Sequence, residues 1–87
     1  MKSNEHNEEI SNSHAAVKEL LGDNLKLYRR RNGLSQEQLG HKIDADQAYI
    51  SRLESGLLNP TLETISELAS VLKIRVQNFF EKNENEI

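Results

Sequence analysis

Cysteine is missing from this 87-residue chain, so no disulfide and no thiolate metal site can form, which fits a reducing compartment. Long apolar runs are missing too, and the N-terminal stretch is acidic and polar, unlike a secretory signal. No nucleophile–base pair and no metal-ligand spacing appears, which argues against an enzyme. His6 and His14 lie eight residues apart without further ligands nearby, so they read as solvated histidines. The expectation is therefore a cytoplasmic protein away from membranes, with no metal, no cofactor and no small-molecule ligand. Its length allows one small domain and only a modest core, so association is expected to add stability.

Net positive charge is absent as well. The formal charge is −3, which on its face opposes a polyanionic partner. The distribution matters more. Up to Asp23 two bases stand against five acids; from Asn24 to Gly56 six bases stand against four; from Leu57 onward three stand against five. Basic charge is thus concentrated in the middle of the chain.

That middle holds the most informative stretch, LSQEQLGHKIDADQAYISRLESG, from Leu34 to Gly56. Ser35 can cap a helix, and Gln38 three positions on completes a capping box, with Leu34 and Leu39 at the staple positions around it. The device repeats: Asp46 can cap a second helix, with Ala45 and Ile50 flanking it in the same way. Gly56 supplies a left-handed end. Two short capped helices about a tight turn form a helix-turn-helix, with the motif over residues 35–56. If Ile50 and Leu53 face inward, then Gln47, Ala48, Ser51 and Arg52 face out. Gln and Arg can contact adenine and guanine edges bidentately, and Ala48 permits close approach to a groove. The same residues also suit a merely solvated helix; the doubled capping pattern favours the DNA-facing alternative. Gln36, in the first turn of the preceding helix, is suited to holding phosphate.

Around this motif the apolar spacing predicts three more helices. Residues 1–12, rich in Asn, Glu and Ser, are expected to form a disordered acidic arm. Val17, Leu20, Leu21, Leu25 and Tyr28 predict a helix from Ser13 or His14 to Arg31, weakened by Gly22 and stopped at Asn32-Gly33. Thr61 caps a helix with Leu62, Ile65, Leu68, Ala69 and Leu72 spaced for the core. A short fifth helix carries Val76, Phe79 and Phe80. Two adjacent aromatics cannot both face inward, so one closes the core and the other is a dimer candidate. Residues 82–87 are expected to fray, which leaves 13–81 as the folded domain.

Leu25, Tyr28, Arg29 and Gly33, then LSQEQL, YISRLESG, NPTLETISELA and NFF, form an ordered run that resembles the phage Cro/repressor type of helix-turn-helix domain, also called the xenobiotic-response-element family. The resemblance implies an all-α, compact five-helix bundle that binds operator DNA in the major groove, as a homodimer on a palindromic double-stranded site. It implies a structural ion pair between Arg29 and Glu54. Base contacts are then expected from Gln47, Ala48, Ser51 and Arg52, and phosphate contacts from Ser35, Gln36, Tyr49, Ser55 and Asn59. Val76, Phe79 and Phe80 are the dimer candidates. The chain departs from the family at Leu57 and Leu58, where basic residues are common, at Asp44 in the interhelical turn, and at Lys73, where glycine is usual. Leu57 and Leu58, together with Leu27, sustain a second expectation: a protein-interaction module, such as an antitoxin or adaptor, on the same fold.

Overall fold

The computed structural model describes the backbone of residues 2–83 and the side chains of residues 13–83. In order, the elements are α1 (Lys2–Arg31), α2 (Gln36–Lys42), α3 (Gln47–Glu54), α4 (Leu62–Leu72) and a 3₁₀ helix (Val76–Phe80). The architecture is all-helical among these residues. The expected fifth α-helix is instead the 3₁₀ turn: five residues make too short a run for i→i+4 bonding to win. The helix containing Arg31 begins at Lys2, well before the Ser13 or His14 start that the apolar period predicts. The side chains of the 1–12 arm, and residues 84–87 of the expected frayed tail, lie outside the described residues.

The caps form as the sequence dictates. Ser35 accepts a bond from the Gln38 backbone N–H at 3.0 Å, and Gln38 returns one from its side chain to the Ser35 N–H at 2.8 Å. Asp46 Oδ1 caps α3 through the Tyr49 N–H at 2.8 Å, and Thr61 Oγ1 caps α4 through the Thr64 N–H at 3.1 Å. Each α-helix then ends on one left-handed residue: Gly33, Asp44, Gly56 and Lys73. At all four ends the next residue's N–H turns back onto a carbonyl five positions earlier, as in Ala45 to Gly40 (2.8 Å) and Ile74 to Ala69 (3.0 Å). These are Schellman closures. Asp44 and Lys73 accept at φ 57° and 60° what glycine adopts freely.

The core consists of Leu21 and Leu25 from α1, Leu39 from α2, Ile50 and Leu53 from α3, Ile65, Leu68, Ala69 and Leu72 from α4, and Phe79. Full burial of each large side chain contributes about 1.5–3 kcal/mol, so these residues fix how α3 is held. Three positions predicted for the core lie elsewhere. Val17 is half exposed, Leu20 is half-buried outside the core, and Leu62 is 80% exposed at the first position of α4. The core is narrow, and among the described residues of α1 the buried positions run from Leu21 to Arg29. Gly22 has a packing reason for being glycine: a Cβ there would lie 2.6 Å from the Glu54 carbonyl oxygen and 2.7 Å from that of Leu53. The backbone of α1 therefore crosses directly on the end of α3.

One buried polar residue ties the ends of the domain together. Asn24, 3% exposed, donates from Nδ2 to the carbonyls of Phe79 (2.7 Å) and Glu81 (2.8 Å). It accepts in turn from Asn83 Nδ2. It sits on the same face as Leu21, Leu25 and Tyr28, at three- and four-residue spacing, and that spacing is the signal that marks it in the sequence.

Candidate nucleic-acid interface

Burial of Ile50 and Leu53 decides the orientation of α3. Gln47, Ala48 and Arg52 are exposed and Ser51 is half-buried. Positions 47 and 51, like 48 and 52, are neighbours along the helix, so the four make one outward strip. Each of the four expected base-reading positions thus retains some solvent access on that strip.

The expected phosphate contacts divide. Ser35 and Asn59 are exposed, and Ser55 is exposed at the C-cap of α3. The Ser35 hydroxyl is engaged in its cap. Tyr49 is half-buried and packs against the core, because position 49 precedes Ile50 on the inner flank of the helix. Gln36 is half-buried, with its amide tied to two neighbours: Nε2 donates to Glu54 Oε1 at 3.0 Å, and Oε1 accepts from Gln47 Nε2 at 3.3 Å.

Behind this strip lies the ion pair. Arg29 Nε meets Glu54 Oε2 at 2.5 Å and Arg29 Nη2 meets Oε1 at 3.0 Å, with the two side chains 9% and 4% exposed. Arg29 Nη1 also donates to the Leu34 carbonyl at 2.8 Å. The pair therefore joins α1, the turn into α2 and the last residue of α3. No buried polar side-chain atom among the described residues is left without a partner. Nearby, Arg31 stacks over the Tyr28 ring at 5.4 Å, an attraction of cation and ring face.

Of the residues expected on contact surfaces, one is withdrawn and another partly covered. Phe79 is fully buried, so it closes the core and cannot be a dimer contact; Phe80 and Val76 are 38% and 37% exposed. Leu58 packs partly against the core, whereas Leu57 is 70% exposed. Among the described residues no group of three or more His, Asp or Glu side chains comes together as a metal site, and no helix is long and apolar enough to cross a membrane.

Two short capped helices, a buried core behind them and a polar strip in front define a helix-turn-helix module. Residues 25–79 match the helix-turn-helix family HTH_3, so the chain belongs to that family of DNA-binding transcriptional regulators. It is similar to an HTH-type transcriptional regulator of Sinorhizobium fredii, 40% identical over 58 residues, which are 67% of this chain and 75% of that one. It is also similar to the control protein C.SmaI of Serratia marcescens, 40% identical over 60 residues, 69% of this chain and 71% of that one. Among solved structures, the restriction-modification controller protein C.AhdI from Aeromonas hydrophila superposes with a TM-score of 0.72 at 34% identity, covering 77% of this chain and 97% of that one.

Proposed function

We propose that this regulator reads a specific operator by laying α3 in the major groove, as a symmetric homodimer on a palindromic site, and that it acts as a repressor in the cytoplasm. The observation that carries the proposal is the outward strip Gln47, Ala48, Ser51 and Arg52 on a helix anchored by Ile50 and Leu53. Gln47 and Arg52 supply the bidentate base contacts, with Ser51 beside them and Ala48 allowing the approach. Gln36, through its remaining amide hydrogen, and the exposed Ser35, Ser55 and Asn59 hold phosphates on either side. Tyr49 contributes at most its hydroxyl at the rim, since its ring belongs to the core edge. Residues 13–81 form the binding unit.

Dimerisation follows from size. One module reads few base pairs, and its local charge excess is small, so doubling the contacts across half-sites about 34 Å apart supplies the missing affinity. Phe80 and Val76 offer the apolar surface, which a two-fold axis would place against its own copy.

Selection of bound sequences from a random duplex pool, followed by titration at two salt concentrations, tests the proposal. A regulator shows a steep salt slope and a preferred site. In that assay Arg52→Ala weakens the preferred site by about 1–3 kcal/mol and relaxes one position per half-site. Equal losses on preferred and random DNA would make Arg52 a phosphate contact. The adaptor alternative rests on the exposed Leu57 with the half-buried Leu27 and Leu58, and it calls for a salt slope near zero.

A further inference from the structure

The outer side of α1 carries an apolar strip that the core does not use. At about 100° per residue, Leu20 and Leu27 lie roughly 140° and 160° around the helix from the fully buried Leu25. With Ala16 and the half-exposed Val17 they line a groove of about 760 Å³. Charge is sorted along this groove. Glu19 and Asp23 stand toward the N-terminal end of α1 and Lys26 and Arg30 toward its C-terminal end, and all four are exposed. Lys82, from the segment after the 3₁₀ helix, also lines it. Gly22 and Arg29 meet α3 from another side of α1.

We propose that this groove is a self-association surface, separate from Val76 and Phe80, that takes α1 of a second copy of the chain in antiparallel orientation. It stands independently of the operator reading. A two-fold axis between positions 23 and 24 sets Leu20 of each chain opposite Leu27 of the other. The same register matches the charges: Glu19 lies between Lys26 and Arg30 of the second copy, and Asp23 lies beside its Lys26. A parallel pairing would instead set Glu19 against Glu19 and Arg30 against Arg30. The apolar strip supplies the attraction, and the exposed ion pairs, each worth little, select the direction. Four apolar side chains on each copy make a contact smaller than a standard interface, so it is a weak and reversible one. Beside a two-fold contact at Val76 and Phe80, it carries association past the dimer.

The absence of native cysteine lets the axis be located directly. Asp23→Cys puts a thiol beside the proposed axis. Ser13→Cys puts one at an exposed position of the same helix, on the order of 30 Å from its own copy in the antiparallel pair. Under mild oxidation Asp23→Cys is expected to form a disulfide-linked pair at least about tenfold faster than Ser13→Cys, because a disulfide needs the two chains nearly in contact. Similar rates would overturn the antiparallel pairing. Sedimentation velocity is then run on Phe80→Ala, which weakens the other surface, from low micromolar to near-millimolar concentration. A monomer–dimer step is expected there. In that background Glu19→Lys with Asp23→Lys, and separately Lys26→Glu with Arg30→Glu, should weaken the step by about tenfold or more at low salt. An equal mixture of the two variants should restore it, which chains that had merely misfolded could not do. A Phe80→Ala protein that stays monomeric throughout, or a mixture that stays apart, would overturn the α1 surface while leaving the Val76–Phe80 contact to its own test.

Discussion

Breaking the Arg29–Glu54 pair on one side is expected to cost far more than removing it from both. Arg29 makes two bonds to Glu54 and one to the Leu34 carbonyl, at 9% side-chain exposure. Glu54→Ala leaves that guanidinium buried with a single carbonyl partner. Arg29→Ala leaves a carboxylate 4% exposed with only Gln36 to bond, and it also strips the Leu34 carbonyl of its side-chain donor. An uncompensated buried charge of this kind costs about 3–5 kcal/mol. At about 0.05–0.15 kcal/mol per residue, a chain of this length has roughly 4–13 kcal/mol in all. Either single variant should therefore lose a large share of its stability.

Replacing both partners by apolar residues, as in Arg29→Leu with Glu54→Met, removes the desolvation cost along with the attraction. The double variant should be destabilised by about 2–3 kcal/mol less than the sum of the two apolar single variants. Urea unfolding followed by far-ultraviolet circular dichroism at low temperature keeps the weak variants measurable. Single losses below about 1 kcal/mol that add within about 0.5 kcal/mol would refute a coupled buried pair.

Gly22→Ala sets two effects of opposite sign against each other: a helix-propensity gain of about 1 kcal/mol against a Cβ placed 2.6 Å from a backbone oxygen. The backbone cannot rotate away as a side chain would, so net destabilisation of about 1–3 kcal/mol is expected, measured by thermal melting. Lys73→Gly should raise stability by about 1 kcal/mol by relieving the left-handed φ of 60°, and an unchanged melting curve would show that the lysine adopts it without cost. Phe79→Ala should cost about 3–5 kcal/mol in the same melts, whereas Phe80→Ala should leave the melt of the monomer nearly unchanged and shift sedimentation toward monomer. A parent protein that is monomeric at every concentration and binds DNA one per site ends the dimer proposal.

How far the sequence carries depends on whether a signal is local. Ser35, Gln38, Asp46 and Thr61 act within three residues of themselves, so each cap is legible and each forms. Asp44, a departure from the family in the interhelical turn, adopts the left-handed conformation that closes its own helix, at φ 57°. Apolar spacing is only half local. It identifies the face of α1 that holds Leu21 and Leu25, but the length of that face under cover depends on where α3 and the 3₁₀ helix stop. Val17 and Leu62 carry the right residue type at the right period and still lie outside. Asn24 is the converse, a polar residue on the apolar face whose partners are 55 and 57 positions away.

The same distinction governs the interface. Type and spacing place Gln36 and Gln47 on separate helices as two independent contacts, one for phosphate and one for a base. The close crossing of α1 on the end of α3, permitted by Gly22, brings Arg29 to Glu54, and the packing of α2 on α3 brings Gln36 to the same carboxylate. Glu54 therefore takes part in the ion pair with Arg29 and also accepts from Gln36. Substituting Glu54 releases Arg29 and Gln36 together, so any DNA-binding change in such a variant has to be read beside its stability. Gln36 lies one bond further out, beyond the buried pair. Its side chain bonds both Glu54 and Gln47, so replacing it leaves the two Arg29–Glu54 bonds in place.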